Sequence, residues 1–576
     1  MKNFLRNSSK ILTRRQTTIL SAATIIMVMV AASRVLGLVR NRILAHFFSV
    51  EILSIYFAAF RLPEVVFEVL VFGALSSAFI PTFTRFLARG EKKEAWYVAS
   101  VSLNFAFLFF FFLSILILVF AKPLYQLIAP GFNSDQIEQV ASLTRILVLT
   151  QAFFVLSYFL TGVLESLQRF LIPAIAPLFY NLGIILGTII LAGKMGIYAP
   201  AVGAVIGAFL HFFIQLPLAF HLGFRPRLTL DSKHPGVREI GRLALPRIIE
   251  LTFLQVGKSA ELFLASLVSI AAYTHYTFAN SLQLLPIGLF GISIAKASLP
   301  TLSSHSAKND FDRFHQTFIA SFNEIAFLII PCSVFLAVLR VPLVRLVFGA
   351  SRFSWESTVQ TGYALSAFCL GIFAQALIYL LNRAFYALHD TKTPVKIAIA
   401  AILMHIGLGA TLTLVFKLQI WSLALSFSLA SIIQFGVLLF SLFKKLKGIE
   451  IRKISLPFFK VALASAGAGG IMFSLLKLFD RSVWVKQLSL LGRLGLVLPL
   501  TFERFVLDTR YTGNLIFLTA AVGLIGLACF LMLSWLLKIK EVSVFARLLL
   551  RFKKLKFFPV KIPKKQEPIT LPSESS

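Results

Sequence analysis

Six cations sit inside stretches that are otherwise apolar enough to cross a membrane: Arg34, Arg40, Arg42 and Arg61 near the start of the chain, Lys258 and Lys296 near its middle. An ionised side chain at the centre of a bilayer costs roughly 3 kcal/mol on insertion scales. Such a group therefore faces a water-filled cavity, a counter-charge or a charged ligand. Arginine suits phosphate oxygens, because its planar fork donates two hydrogen bonds at once and stays ionised. Cations gathered inside a helical bundle thus point to an anionic cargo. Their alternative role is pairing: Arg34 and Arg40 with Glu64 or Glu68, and Lys258 with Glu261 three residues on, a neighbour on the same helical face. Covalent chemistry has no candidates. No Walker motif, metal-ligand cluster or catalytic triad is apparent, and Cys332, Cys369 and Cys529 all fall within apolar stretches, which suggests neither a disulfide framework nor a metal site. The reading is of a non-enzyme with no cofactor.

The elements that carry these residues are helices. The chain has 576 residues and is 58% hydrophobic, with a mean hydropathy of +0.86. About fourteen apolar stretches approach the roughly 20 residues a helix needs to cross the hydrocarbon core. Runs of that length are not strand-sized, so the fold class is all-α and polytopic in the membrane. The first stretch runs too far, with no small-residue cleavage site after it, to be a cleaved signal peptide. A net charge of +32 would suit nucleic acid, but its distribution argues against that. Lys2, Arg6, Lys10, Arg14 and Arg15 hold the N-terminus in the cytoplasm, and the basic loops Arg85 to Lys93, Arg225 to Lys233 and Lys444 to Lys453 fall on the same side. An even number of spans then puts both termini inside, where the run Lys553 to Lys565 meets anionic headgroups.

An internal repeat orders the helices. Ala78-Phe79-Ile80-Pro81-Thr82 recurs as Ala297-Ser298-Leu299-Pro300-Thr301, Leu124 to Gly131 resembles Leu343 to Gly349, and Leu167 to Pro173 matches Leu388 to Pro394, all at offsets near 220 residues. The unit spans six helices. Because six is even, both copies share one orientation and are related by an axis along the membrane normal. The expected organisation is a basic N-terminus over residues 1–17, a first six-helix lobe over 18–224 and a polar linker over 225–242. A second lobe follows over 243–443, then two extra helices with an external loop over 444–540 and a basic tail over 541–576.

Specific residues carry a resemblance. Ser33-Arg34-Val35-Leu36-Gly37 with Arg40, then Phe60-Arg61-Leu62-Pro63, then Ala78-Phe79-Ile80-Pro81, resemble the opening of MurJ/MviN-type lipid II flippases. Arg169-Phe170 with Pro173, Ala176, Pro177 and Asn181 continues the likeness. Arg383-Ala384-Phe385-Tyr386-Ala387 followed by Asp390-Thr391-Lys392-Thr393-Pro394-Val395-Lys396 is its most specific part. The resemblance implies the two-lobed fold of the multidrug/oligosaccharidyl-lipid/polysaccharide exporter superfamily. It implies a multi-pass protein of the bacterial inner membrane that moves a polyprenyl-diphosphate-linked peptidoglycan precursor between leaflets by alternating access. Its partners would be that precursor, membrane lipids and proteins of cell-wall synthesis.

By the same resemblance, Arg34 and Arg40 correspond to cavity arginines, and Arg61 follows in the Arg-Leu-Pro run. Five positions depart from the pattern. Phe67 replaces an arginine, Phe72 a glutamate, Asn280-Ser281 an Asp-Arg pair, and an acid falls at about Ser54. Lys258 and Lys296, on helices that line the family's cavity, would restore positive charge. Glu261 matches a position implicated in ion coupling, with His405 the expected partner on helix eleven; the competing reading is the simple Glu261–Lys258 pair. Two functional alternatives remain: a carrier of another polyprenyl-diphosphate glycan, and a non-transporting scaffold of envelope synthesis.

Overall fold

The structure, a computed structural model, describes residues 19–69, 79–446, 450–480 and 507–542, with side chains from residue 28 onward except those of 245–247, 249 and 250. The basic N-terminus 1–17, the family position at Phe72, most of the loop expected between the last two helices and the basic tail from 543 lie outside these residues. Among the described residues the chain is helical, with a single isolated bridge between Asp480 and Leu507.

The first half begins with α1 (Ile19–Phe47), α2 (Val50–Ala59), α3 (Arg61–Phe67) and α4 (Ile80–Ala88). It continues through α5 (Lys92–Ile128), α6 (Ser134–Ser166), α7 (Leu171–Met195), α8 (Tyr198–Phe213) and α9 (Leu216–His221). The second half opens with α10 (Pro235–Val268) and α11 (Ala272–Pro286), then a π-helical turn at Ile287–Ile292 and α12 (Ser293–Ala307). Next come α13 (Phe311–Val338), α14 (Arg340–Phe348), α15 (Trp355–Cys369), α16 (Ile372–Ala387) and α17 (Lys392–Ala410). The chain closes with α18 (Trp421–Lys445), α19 (Arg452–Phe479) and α20 (Thr512–Leu536). Among the described residues eleven helices are long and apolar enough to span a membrane, or 12 if α15 and α16, bent by 44°, form one span. The other two of the expected fourteen, the first and second stretches, lie only partly among the described residues, since side chains begin at residue 28 and residues 70–78 fall outside the described set.

Small residues let the first half pack tightly. Gly183 and Gly187 on α7 face Gly203 and Gly207 on α8 so closely that a Cβ at any of them would overlap backbone. The halves join most fully at one end, called distal here, where α1 finishes and α2 begins. There Leu44, Phe48, Val50 and Tyr56 share one apolar core with Phe278, Phe348 and Phe353. Toward the opposite, proximal end the first half has a core of its own built on Phe79, Phe83, Val98 and Phe159.

The distal contacts repeat the internal symmetry. Gly131 N donates to Ser266 Oγ at 3.2 Å, and a Cβ on Gly131 would overlap the Ser266 carbonyl. Two residues past Gly349, the glycine that matches Gly131 in the second copy, Ser351 Oγ lies 2.8 Å from His46 Nδ1. Ser54 and Thr274, themselves 220 apart, meet through their hydroxyls at 2.8 Å. Thr274 Oγ1 also donates to the Val50 carbonyl at 2.7 Å, and Arg42 donates to the Leu346 carbonyl. At the proximal end the ties are ionic. Arg85 forks onto Glu239, His234 lies 3.2 Å from Glu94, and Tyr97 donates to Asp231. These bind the foot of α10 to the first half, while its distal part packs on α17.

The Asp390 turn caps α17. Asp390 accepts from Thr393 N at 3.0 Å and Thr393 Oγ1 at 2.9 Å, and pairs with Lys445 at 2.7 Å. Partial burial alone would raise its pKa, but the Lys445 ammonium and the two Thr393 donors outweigh that and bring it down to about 2.

Two outcomes follow. The pair Ser54→Cys/Thr274→Cys is expected to form a disulfide on mild oxidation, read as a mobility shift, and to arrest any function that needs the distal end to part. Asp390→Asn is expected to lower the thermal midpoint at neutral pH. The stabilisation from Asp390 is present above the unfolded carboxyl's pKa near 4 and is lost as pH falls toward 2, so the gap between Asp390→Asn and the unmodified protein should narrow below pH 4.

Candidate functional site

Arg61 is positioned by a break in the second stretch. Pro63 has no N–H, so the carbonyl four residues earlier, that of Ala59, loses its helical donor. A buried carbonyl needs another partner. Thr144 Oγ1 donates to it at 2.9 Å, and Tyr125 OH lies 3.1 Å from it and 3.0 Å from the Ala58 carbonyl. The break between α2 and α3 thereby aims Arg61, which is only 3% exposed, at the second half of the protein.

From there a polar chain crosses between the halves. Arg61 Nη2 donates to Gln255 Oε1 on α10, and Gln255 Nε2 donates to Glu68 Oε2. Lys258 Nζ reaches both Glu68 oxygens, at 3.1 and 2.8 Å. Glu64, 3.7 Å from Arg61 Nη1, also feels the charges of Lys258 and Arg40. Two of the expected cations, Arg61 and Lys258, are therefore brought together with two carboxylates, Glu64 and Glu68, and the charge of Arg40 reaches Glu64 from farther off.

The others stand apart. Arg40 donates to Asn181 Oδ1 at 3.2 Å and to Asn41. Arg34 is exposed and acts with Arg383 on Tyr379 of α16, so it faces the second half from α1. Lys296 on α12 has Glu165 of α6 as its electrostatic partner, beyond ion-pair distance. The Glu261–Lys258 pair is corrected. Lys258 turns to Glu68, and Glu261 instead lies 3.4 Å from His405 Nε2, whose Nδ1 is 2.9 Å from Ser426 Oγ. Although three-residue spacing puts the two on neighbouring positions, α10 packs against both α3 and α17, and each side chain takes a partner on a different one of them.

The described positions that depart from the family pattern serve structure. Ser54 belongs to the distal seam. Phe67 is buried against Phe154 and Tyr158. Asn280 accepts from Gln283, which in turn accepts from Gln375. Sequence reasoning missed Gln255, although it lies three residues before Lys258 and so shares its face. It named Glu64 and Glu68 only as partners for Arg34 and Arg40; their real partners are Arg61, Gln255 and Lys258. Among the described residues no His, Cys, Asp and Glu side chains group as a metal site.

Comparison with known proteins gives this geometry a context. The profile of the family described as "Lipid II flippase MurJ" matches residues 43–493. A relative from Vibrio cholerae serotype O1, named "Probable lipid II flippase MurJ", is 27% identical over 498 residues, covering 83% of this chain and 94% of its own. A solved structure described as "Lipid II flippase MurJ, inward closed conformation" superposes with a TM-score of 0.72 at 25% identity, over 91% of this chain and 99% of the other. An inward-facing multidrug resistance MATE family transporter of the MOP superfamily shares the fold, with a TM-score of 0.63 at 14% identity over 72% of this chain and 95% of its own.

If Glu261 and His405 are partners, Glu261→Gln and His405→Ala should each lower the thermal midpoint, and the double variant should be no worse than the more damaging single one. A coupling of about 1 kcal/mol is the expected scale; strictly additive losses would separate the two residues.

Proposed function

The chain belongs to the lipid II flippase MurJ family, and we propose that it moves a polyprenyl-diphosphate-linked peptidoglycan precursor from the inner to the outer leaflet of the cytoplasmic membrane. The observation that carries this reading is the setting of Lys258 and Arg61 between halves that are joined at the distal end, with the charge of Arg40 reaching the neighbouring carboxylate Glu64. A diphosphate headgroup cannot cross hydrocarbon with its charge unmatched, and these residues offer the matching cations. Arg34 and Lys296, each facing the opposite half, extend the basic lining along the path.

We take the proximal end to be cytoplasmic, because the basic loops Arg85 to Lys93, Arg225 to Lys233 and Lys444 to Lys453 gather there. Both termini are then inside, and the joined distal end faces outward. Two six-helix lobes, 18–224 and 243–443, rock about the linker 225–242; the distal seam parts as the proximal side closes, exposing the headgroup to the other face. Throughout, the polyprenyl tail stays in lipid. Glu261 and His405 form the candidate coupling site, where a carboxylate and an imidazole in contact can take up and release a cation or proton in step with that motion. No bond is made or broken, so the activity is transport.

The test is complementation of a bacterium depleted of its own lipid II flippase. The unmodified chain is expected to restore growth and shape. Arg34→Ala/Arg40→Ala, present in the membrane at equal amount by immunoblot, is expected to fail. No rescue by a well-inserted unmodified chain would overturn lipid II as the cargo.

A further inference from the structure

One carboxylate in the cross-half network stands where an anionic cargo would bind. Glu68 lies at the C-terminal end of α3, in the first half. Among the described residues its carboxylate accepts from donors on α10, in the second: two hydrogen bonds from Lys258 Nζ and one from Gln255 Nε2. Those donors are what a phosphate oxygen would seek. The Lys258 side chain is 43% exposed and Glu68 25%, so the pair opens on one side to an incoming ligand. Arg61, at 3% exposure, is closed off behind Gln255 and acts through it.

We propose that Glu68 is a resident competitor of the cargo's diphosphate: its carboxylate holds Lys258 and Gln255 until the diphosphate displaces it and takes those donors. The proposal rests on the diphosphate reading above and adds a specificity-determining residue to it. Glu68 and a diphosphate cannot hold Lys258 Nζ in the same geometry together. Binding of cargo and the α3–α10 tie are therefore mutually antagonistic, and by linkage each weakens the other by the same factor. A monovalent anion, with no more charge than the carboxylate, gains little by the exchange; a diphosphate gains an added charge. Glu68 thus sets a threshold that favours multiply charged headgroups and converts their arrival into release of one half from the other.

The experiment measures binding of farnesyl diphosphate, with farnesol as the uncharged control, to the full chain in nanodiscs of neutral lipid. Glu68→Gln keeps the shape and the oxygen facing Gln255 but removes the charge. It is expected to bind farnesyl diphosphate about fivefold more tightly, the scale of one ion pair relieved, with farnesol unchanged. Lys258→Gln should bind more weakly, and Glu68→Gln/Lys258→Gln should match Lys258→Gln alone. Monodispersity and thermal midpoint check the fold, and Glu68→Ser takes the place of Glu68→Gln if that variant is not recovered. Unchanged or weaker binding by Glu68→Gln overturns the proposal, as does an equal gain toward farnesol or a gain that survives removal of Lys258. If neither the unmodified chain nor any variant binds farnesyl diphosphate, the diphosphate reading itself falls and this proposal with it.

Discussion

An ion inside an apolar bundle must be matched by another charge, by hydrogen bonds or by water, and the interior of this protein is arranged around that requirement. Taking a charge out of water costs several kcal/mol even after relaxation, so Arg61 is buried only together with Gln255 and Glu64. Those contacts exist because Pro63 breaks the second stretch where it does, and the break is tolerated because Tyr125 and Thr144 satisfy the carbonyls it frees. Proline, hydroxyl and guanidinium form one chain of necessity. The cross-half network is its last link.

The distal seam shows what a parallel repeat gives a moving protein. In a true two-fold interface, a contact between residues i and j is matched by one between their symmetry mates. The pairs Gly131–Ser266 and Ser351–His46 come close to that rule within a single chain, Ser351 lying two residues past Gly349, the match of Gly131, and the Ser54–Thr274 contact joins the same seam. The chemistry has diverged, a backbone amide in one copy and an imidazole in the other. The seam therefore has a nearly matched pair of contacts and one between residues that are each other's repeat mates, an arrangement suited to parting by rotation of one half against the other.

Much of this was legible beforehand, and the misses have physical causes. Apolar length and the 220-residue offset speak for the all-α class and the repeat, because both are local properties of the chain. Arg61, Glu64 and Glu68 recur at helical spacing, so their shared face could be read directly. Which neighbour each would take could not. Lys258 and Glu261 are close along α10, yet the packing of α3 on one side and α17 on the other draws them apart. Gln255 drew no notice because an uncharged amide in an apolar run gives no signal until its two partners are known.

Helix α5 has 37 residues, about 55 Å at 1.5 Å each, against a hydrocarbon slab of about 30 Å. Near its distal end Lys122 pairs with Glu138, which sets a polar boundary there and leaves most of the surplus length at the other. That surplus is a post rising out of the bilayer. Glu94, Tyr97 and Asn104 on it hold residues 227 to 234, and with them the foot of α10. The joint between the halves is thus bolted to a rigid member rooted in lipid. A thicker bilayer would draw the post down and carry the joint toward the headgroups, which makes the hydrophobic thickness of the host membrane a mechanical input to the protein.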